Sequence, residues 1–160
     1  MVSITFSIDN TSPSSRKRRY SRFKIAEIPC LRCGTCCRKY QPRLASDEIT
    51  KLALKLGVSL PEFIEQFTDR RWPGTQSFLL RQQNDACTFL AAPDKNQVYL
   101  CRIQAFKPGC CRSWNADLHK PECREGLKNR FKLVVDSRGR ITGDQLNLDT
   151  FEKYVDLLKS

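Results

Sequence analysis

The chain has 160 residues, of which 40% are hydrophobic and 28% charged, with a formal net charge of +11. This length fits one domain, and the apolar fraction is too high for a chain that is disordered by composition. No apolar run approaches the roughly 18 residues of a membrane span, so we expect no membrane association. Because the start lacks a basic segment ahead of an apolar stretch, we expect no secretory signal and a cytoplasmic location. The single histidine excludes His-rich metal sites and disfavours a Ser-His-Asp triad.

Residues 1–29 are predicted to form a flexible, basic N-terminal arm. The arm contains the basic run Arg16–Arg19, and charged termini are commonly solvated and unordered. Tyr20 and Phe23 stand among further basic residues, where aromatic rings can stack on bases while the cations contact phosphates. A flexible terminus is the favoured interpretation, and nucleic-acid binding remains an alternative.

Four of the nine cysteines follow the arm within eight residues, in the order Cys30-x2-Cys33-x2-Cys36-Cys37. A Cys-x2-Cys step lets a tight turn direct two sulfurs at one ion, and Cys36 repeats the step. The spacing therefore predicts that Cys30, Cys33 and Cys36 share one metal site. If the chain is extended at Cys37, that side chain points elsewhere, because side chains alternate along a strand. Cys37 then serves a second site or a different metal of the same cluster.

Two short helices are predicted next. Ser46 caps the first, which ends at Gly57, and Ser59 with Glu62 forms the capping box of the second. Their apolar faces consist of Ile49, Leu52, Ala53 and Leu56 in the first helix and of Phe63, Ile64 and Phe67 in the second.

Short strands are predicted at residues 77–82, 86–90 and 98–101, with turns between them that bring Cys87 close to Cys101. A late hairpin joins residues 133–135 to 140–142, and an amphipathic helix begins near Asp149. These elements predict a small α+β domain, organised by metal, with short helices, short antiparallel strands and a C-terminal helix. The cysteine-cluster domain spans residues 30–125, and residues 126–160 pack on it.

The nine cysteines admit three interpretations. A disulfide framework requires an oxidising compartment, and the odd count and the adjacent pairs argue against it. Buried thiols that act as small hydrophobes account for one or two cysteines, but not for four within eight residues. Metal ligation accounts for the spacing, and eight thiolates would fill two four-sulfur sites and leave one cysteine spare.

Arginine follows four of the cysteines directly, at positions 38, 102, 112 and 124. A divalent ion with four thiolates carries a net charge of about −2, which nearby cations offset. Guanidinium groups can also donate hydrogen bonds to the sulfurs, although an Arg-rich chain produces the same pattern by chance. His119 is a candidate nitrogen ligand, but the thiols already exceed the number that the sites need, so a surface or packing role is favoured.

An all-sulfur ligand set suits both zinc and iron–sulfur clusters. Zinc ribbons usually have two separate Cys-x2-Cys knuckles, and no second knuckle follows Cys37. The run from Cys30 to Cys36 matches the start of the bacterial ferredoxin signature, although the Cys-Pro that ends that signature is missing. We favour an iron–sulfur cluster over Zn²⁺ on this basis.

The segment Cys30–Arg38 resembles the signature of the YkgJ-type cysteine-cluster family of zinc- or iron-chelating domains. The later blocks agree in order, with Cys87 followed by Phe89 and Leu90, Cys101 by Ile103, and Pro108 by Cys111 and Arg112. Cys123 matches the last cysteine of the family, whereas Lys107 stands where the family has arginine. Cys110 falls on a variable position, which implies that it is the spare cysteine. A similar region in flagellin lysine N-methylases implies an involvement in methyl transfer.

We therefore predict a metal-binding cysteine-cluster protein. Two alternatives stay open: a component of a methyl-transfer or oxidoreductase enzyme with a protein partner, and a zinc-dependent nucleic-acid-binding protein. No Gly-rich phosphate loop is present, so the sequence gives no evidence for a nucleotide or a Rossmann-type cofactor site, and no catalytic residue is identified. The predicted metal ligands are Cys30, Cys33, Cys36, Cys37, Cys87, Cys101, Cys111 and Cys123.

Overall fold

The computed structural model describes residues 19–72 and 76–160. In this part of the chain the helices are α1 (Thr35–Lys39), α2 (Ser46–Leu56), α3 (Leu60–Phe67), α4 (Gly109–Arg112), α5 (Pro121–Phe131) and α6 (Gln145–Lys159). The strands are β1 (Arg19–Tyr20), β2 (Arg43–Ala45), β3 (Ser77–Leu79), β4 (Gln82–Gln83), β5 (Ala86–Cys87), β6 (Val134–Val135) and β7 (Ile141–Gly143). Single 3₁₀ turns cover Ile25–Glu27 and Gln104–Phe106. The fold is the small α+β domain that the sequence predicted.

The strands form three small antiparallel sheets. The largest has the order β1-β7-β6, in which Thr142 pairs with Tyr20 on one side and with Val134 on the other. The pair β2-β3 joins Leu44 to Phe78, and the hairpin β4-β5 joins Gln82 to Cys87. None of these sheets has enough strands to enclose a core alone, so helices and loops supply most of the buried surface.

Two hydrophobic cores lie in the described residues. The α5–α6 core is built from Ile28, Leu31, Leu118, Leu127, Phe131, Leu133, Ile141, Leu148, Phe151 and Val155. The α2–α3 core is built from Leu44, Ile49, Leu52, Ala53, Phe63, Leu80, Cys87, Phe89 and Ile103. Phe151 and Phe63 are fully buried in their respective cores. Cys123 packs against the α5–α6 core, whereas Cys37 and Cys101 pack against the α2–α3 core. Helix α1 contacts α5 and β5.

The helices after the cysteine run follow the predicted pattern. In α2, Ile49, Leu52 and Ala53 are buried, and Gly57 ends the helix at a φ of 71° in the left-handed region that glycine tolerates. Ala45 rather than Ser46 is the capping position, because the Glu48 carboxylate accepts from the Ala45 N–H at 3.0 Å. In α3, Ser59 and Glu62 form the predicted capping box.

Several predicted boundaries differ from the structure. The predicted strand 77–82 contains β3 and the start of β4, and the predicted strand 86–90 is shortened to β5. The segment 98–101 is not a strand, because the Asp94 side chain accepts from the backbone N–H groups of Asn96 and Val98 and holds a turn instead. Only an isolated bridge between Leu90 and Cys101 remains of that hairpin. The C-terminal helix begins at Gln145, and its first turn buries Leu148.

Residues 19–29 of the predicted arm are packed against the domain. Strand β1 pairs with β7, the Arg22 N–H donates to Glu152 of α6 at 2.8 Å, and Ile28 is only 5% exposed. Their apolar side chains reach the α5–α6 core, which explains why this segment is not a free arm. Residues 1–18, with most of the basic run, lie outside the described residues. No helix in residues 19–72 or 76–160 is long and apolar enough to cross a membrane.

Candidate metal centre

Helix α1 carries Cys36 and Cys37 on consecutive positions. The segment is helical rather than extended, so the reason given above for their divergence is corrected. In a helix, neighbouring side chains are about 100° apart, and this rotation directs them to different sides. Helix α1 contacts α5 on one side and β5 on the other. Cys36 accordingly lines a cavity beside α5, and Cys37 packs against the α2–α3 core, while the two thiols share a hydrogen bond.

The first group of thiols, here called set A, consists of Cys30, Cys33, Cys36 and Cys123. These residues line one cavity of about 40 Å³. Its remaining walls are largely apolar and come from Ile28, Pro29, Leu31, Gly34, Trp114, Ala116, Asp117, Leu118 and Glu122. The four thiols also interact electrostatically, since a charge on any of the other three opposes the ionisation of Cys123 and raises its pKa. Set A thus joins the cysteine run to the first turn of α5, 86 residues after Cys37.

The backbone of the cysteine run adopts a conformation that only particular residues allow. Gly34 has a φ of 72°, and a Cβ atom there would stand 2.9 Å from the Tyr99 ring. Glycine meets both constraints, because it has no side chain and adopts a positive φ without strain. The carbonyl oxygen of Leu31 accepts from Arg130 of α5 at 2.5 Å and from the Tyr154 hydroxyl of α6 at 3.2 Å. Both C-terminal helices therefore hold the loop that carries Cys30 and Cys33.

Gly126 of α5 packs directly against set A. A Cβ atom at this position would stand 2.3 Å from the sulfur of Cys33 and 2.9 Å from its Cβ. These distances are far shorter than ordinary van der Waals contacts, so no side chain fits between the helix and this thiol. Nothing in the sequence marked Gly126, because the contact joins residues that are distant along the chain.

The second group of thiols, here called set B, consists of Cys37, Cys87, Cys101, Cys110 and Cys111. Cys87 is a buried member of the α2–α3 core, and Cys37 and Cys101 pack against that core. Negative charge on Cys87, Cys101 or Cys111 opposes the ionisation of Cys37, so these thiols lie within electrostatic range of one another. The predicted proximity of Cys87 and Cys101 is retained in this set, and Cys87 lies in β5, whereas the strand predicted at Cys101 is absent.

Cys110 and Cys111 both lie on the short helix α4, and their sulfurs are 4.0 Å apart. Cys110 is exposed, whereas Cys111 is half-buried and interacts with Cys87 and Cys101. Helix α4 is held to α2 by the Gly109 N–H, which donates to Glu48 at 2.7 Å. Set B therefore contains three thiols in or against the core, the half-buried Cys111 and the exposed Cys110.

The pKa values of five thiols in the two sets are raised above the ordinary value, which favours their protonated forms. Burial is the main cause that raises the pKa values of Cys30, Cys87 and Cys123, and it raises the pKa of Cys111 to about 12 together with the neighbouring Cys110. The Cys36 thiol donates to Cys37, which raises the pKa of Cys36 and lowers that of Cys37. A metal must displace these protons, so its affinity is expected to fall as the pH falls.

Backbone amides donate to the sulfurs. The N–H groups of Arg32, Phe89 and Asp117 donate to Cys30, Cys87 and Cys123, respectively, which lowers the pKa of each thiol against the effect of burial. Such donors stabilise the thiolate form that metals bind.

The arginines that follow cysteines bind other groups. Arg38 stacks on Tyr99 at 4.5 Å, Arg112 donates to the Lys107 carbonyl, and Arg124 donates to that of Leu118. Their hydrogen bonds fix loops instead of contacting sulfur. The expectation that guanidinium groups donate to the sulfurs is therefore corrected for these three. Backbone amides, which the sequence does not reveal, donate instead.

Other candidate residues have partners within the fold. The ring of His119 pairs with Asp117 at 2.7 Å and is exposed, as expected for a surface residue. The Tyr40 hydroxyl donates to the buried Glu122 carboxylate at 2.6 Å, next to set A. Of the aromatic residues considered for base stacking, Tyr20 contacts Arg140 at 3.9 Å, and Phe23 packs against the α5–α6 core.

All nine cysteines lie in the described residues, and all are free thiols. Within residues 19–72 and 76–160, no three His, Cys, Asp or Glu side chains are close enough to one another to hold a metal ion as they stand. Set A accordingly surrounds a cavity instead of converging on one point. The donor chemistry nevertheless fits a thiophilic metal, because each set offers at least four sulfurs and thiolates are the preferred ligands of zinc and of iron–sulfur clusters.

Comparison with protein families gives one match. A family model designated CxxCxxCC, with the description "Putative zinc- or iron-chelating domain", matches residues 29–131, well over half of the chain. The matched region contains every cysteine of both sets. No curated protein and no solved structure matches this chain.

Proposed function

Because the chain belongs to the CxxCxxCC family, we propose that it is a metal-binding protein with two thiolate centres, one in each cysteine set. The observation that carries this proposal is the division of the nine cysteines, four and five, on the two sides of α1. Set A supplies Cys30, Cys33, Cys36 and Cys123 to the first centre. Set B supplies Cys37, Cys87, Cys101 and Cys111 to the second.

The size of the cavity favours an iron–sulfur cluster in set A. Four sulfurs that bind one zinc ion stand about 2.3 Å from it, so without the ion the space between them is too small for a water molecule. A cavity holds one water when its volume reaches roughly 10–15 Å³. The cavity lined by set A measures about 40 Å³, so it has space for a body larger than one bare ion. A cluster of several iron and sulfide atoms is such a body.

The surroundings of set A suit such a cluster further. Its walls are largely apolar and include Trp114, and a dry surrounding affects the reduction potential and the stability of a cluster. Amide donors to Cys30 and Cys123 compensate part of the negative charge on the ligands. The centre would supply one-electron redox chemistry or structural support when bound, and this chain's residues orient the sulfurs and exclude water.

The second centre is a four-thiolate site for which zinc and iron are both suitable. Three of its proposed ligands lie in or against the α2–α3 core, and Cys111 approaches from α4. Because these ligands come from four separate segments, the metal would connect α1, β5, the loop before Gln104 and α4. We expect this role to be structural, because one ion would hold together four segments that are separate along the chain.

The test is anaerobic purification of the full chain, followed by metal and acid-labile sulfide analysis and a visible spectrum. We expect iron and sulfide together with a broad visible absorption that dithionite bleaches. A colourless protein with two zinc ions would retain the two centres but contradict the cluster. Protein purified without any bound zinc or iron, and unable to take either up after reduction, would contradict the proposal as a whole.

A further inference from the structure

The fifth thiol of set B has no place in a four-ligand centre. Three of its cysteines lie in or against the α2–α3 core, Cys111 is half-buried on α4, and Cys110 is exposed. Set A has no such surplus, since it contains four thiols for four positions. The two sets therefore differ in how an ion can enter and leave them.

The separation of Cys110 from Cys111 equals that of two ligands on one ion. Two thiolates of a tetrahedral zinc site, each about 2.3 Å from the metal, have sulfurs about 3.8 Å apart. The sulfurs of Cys110 and Cys111 are 4.0 Å apart, and both residues belong to one turn of α4. The pair can thus bind one ion together with little rearrangement.

Cys111 also connects this pair to the buried thiols. Helix α4 contacts β2 and is held to α2 by Glu48, and the core that β2 and α2 help to form contains Cys87 and has Cys37 and Cys101 packed against it. Charge on Cys87 and Cys101 as well as on Cys110 opposes the ionisation of Cys111, as expected for neighbouring thiols. Charge on Cys101 or Cys110 likewise opposes the ionisation of Cys87. An ion held by Cys110 and Cys111 is therefore already near the remaining ligands of set B.

Resting on the two centres proposed above, we infer that Cys110 is an exchangeable entry ligand that makes set B a site for reversible transfer of a thiophilic divalent ion. The incoming ion binds first to Cys110 and Cys111, each thiol releasing its proton to water. Cys37, Cys87 and Cys101 then each release a proton to water and bind the ion, while the bond from the metal to Cys110 breaks and Cys110 takes up a proton again. No electron is transferred, and the steps reverse when an external ligand removes the ion.

The experiment uses metal-free full-length protein, Co²⁺ alone as the probe and a chromophoric chelator as the competitor. Wild type is compared with Cys110→Ser and Cys110→Ala, and Cys111→Ser is the matched control on the same helix. We expect both Cys110 variants to bind as much Co²⁺ at equilibrium as wild type. In both variants, the binding of one equivalent of Co²⁺ and the loss of this Co²⁺ to the chelator should each be about tenfold slower than in wild type.

The variant Cys111→Ser should no longer bind the equivalent of Co²⁺ held by set B, even at equilibrium. This loss distinguishes a permanent ligand, Cys111, from an exchangeable one, Cys110. Two results would overturn the inference: unchanged rates in both Cys110 variants, or a loss of bound Co²⁺ in these variants equal to that in Cys111→Ser. Failure of the proposed function would differ from both, because wild type itself would then bind no Co²⁺. Since Cys110 is exposed, its replacement is not expected to prevent folding.

Discussion

At the scale of single residues, the positions that shape the candidate centres are small groups beside the sulfurs. Cys36 and Cys37 diverge because α1 rotates each side chain by about 100° relative to the last. Gly34 and Gly126 leave space that a side chain would fill. Backbone amides, such as that of Asp117, donate to the ligands. Residues other than the cysteines therefore do most to bring the four sulfurs to one cavity.

The variant Gly126→Ala tests whether the space beside the Cys33 sulfur is needed for metal binding by set A. Alanine is the better helix former by about 0.5–1 kcal/mol, so propensity alone predicts a more stable α5. The new Cβ would overlap the Cys33 sulfur, and overpacking of this kind costs about 1–3 kcal/mol. We expect weaker metal retention by set A in a chelator titration, with set B unchanged. Lys128→Ala, at an exposed position of the same helix, is the control, and equal retention by both variants would refute the argument.

The cysteines themselves were identifiable from sequence at this scale. Their spacing predicted that Cys30, Cys33 and Cys36 share one metal site and that Cys37 serves a second site or a different metal of the same cluster, and in the structure the first three line one cavity. The group to which each distal cysteine belongs was not accessible, because that depends on how segments far apart in the chain pack. Cys123 belongs to set A only because α5 packs against α1, which contains the end of the cysteine run. For the same reason, the sequence did not indicate that Glu122 and Gly126 lie beside set A.

At the scale of secondary-structure elements, each cysteine set is associated with its own core. Set A lies beside the α5–α6 core, where Cys123 packs, and set B lies beside the α2–α3 core, of which Cys87 is a member. Helices with apolar faces of regular spacing, such as α2 and α3, were predictable because their caps and periodicity are local. Helix α5 was missed because its apolar residues are few and its surface is highly charged. Helix α1 was missed because five residues are too short for any period to appear.

The association of sets with cores predicts separable effects of core mutations. Phe63→Leu and Phe151→Leu each reduce the apolar volume at a fully buried position and should cost about 1–3 kcal/mol of unfolding free energy. We expect Phe63→Leu to speed metal loss from set B and Phe151→Leu to speed it from set A. Measuring each variant in the Cys36→Ala and Cys37→Ala backgrounds isolates one set at a time. Equal acceleration at both sets by either variant would mean that the cores do not act separately.

At the scale of the whole molecule, the protein consists of small sheets, short helices and two modest cores joined through α1. Two centres with eight thiolates and two divalent ions would change the formal charge by −4, from +11 to +7, so the molecule stays basic. The α+β class followed from local patterns, whereas the division into two cores did not, because it depends on which elements pack together. Metal binding across the segments would connect the two halves where strand pairing is sparse.

This arrangement predicts that metal removal unfolds the middle of the chain. Ligand binding energy is folding energy when the site exists only in the folded state. Titration with a chelator should reduce the circular dichroism signal in parallel with metal loss. Hydrogen exchange should accelerate first at residues 30–37 and 86–112. An unchanged spectrum after complete metal removal would show that the apolar cores alone maintain the fold.

The central claim is that adjacent cysteines of α1 serve different metal centres. Its most direct test is the metal content of wild type, Cys36→Ala, Cys37→Ala and the double variant, all purified without oxygen. We predict two centres in wild type, the loss of a different centre in each single variant, and the loss of both in the double variant. If both single variants lost the same centre, or the double variant retained as much metal as either one, the two-centre account would be contradicted.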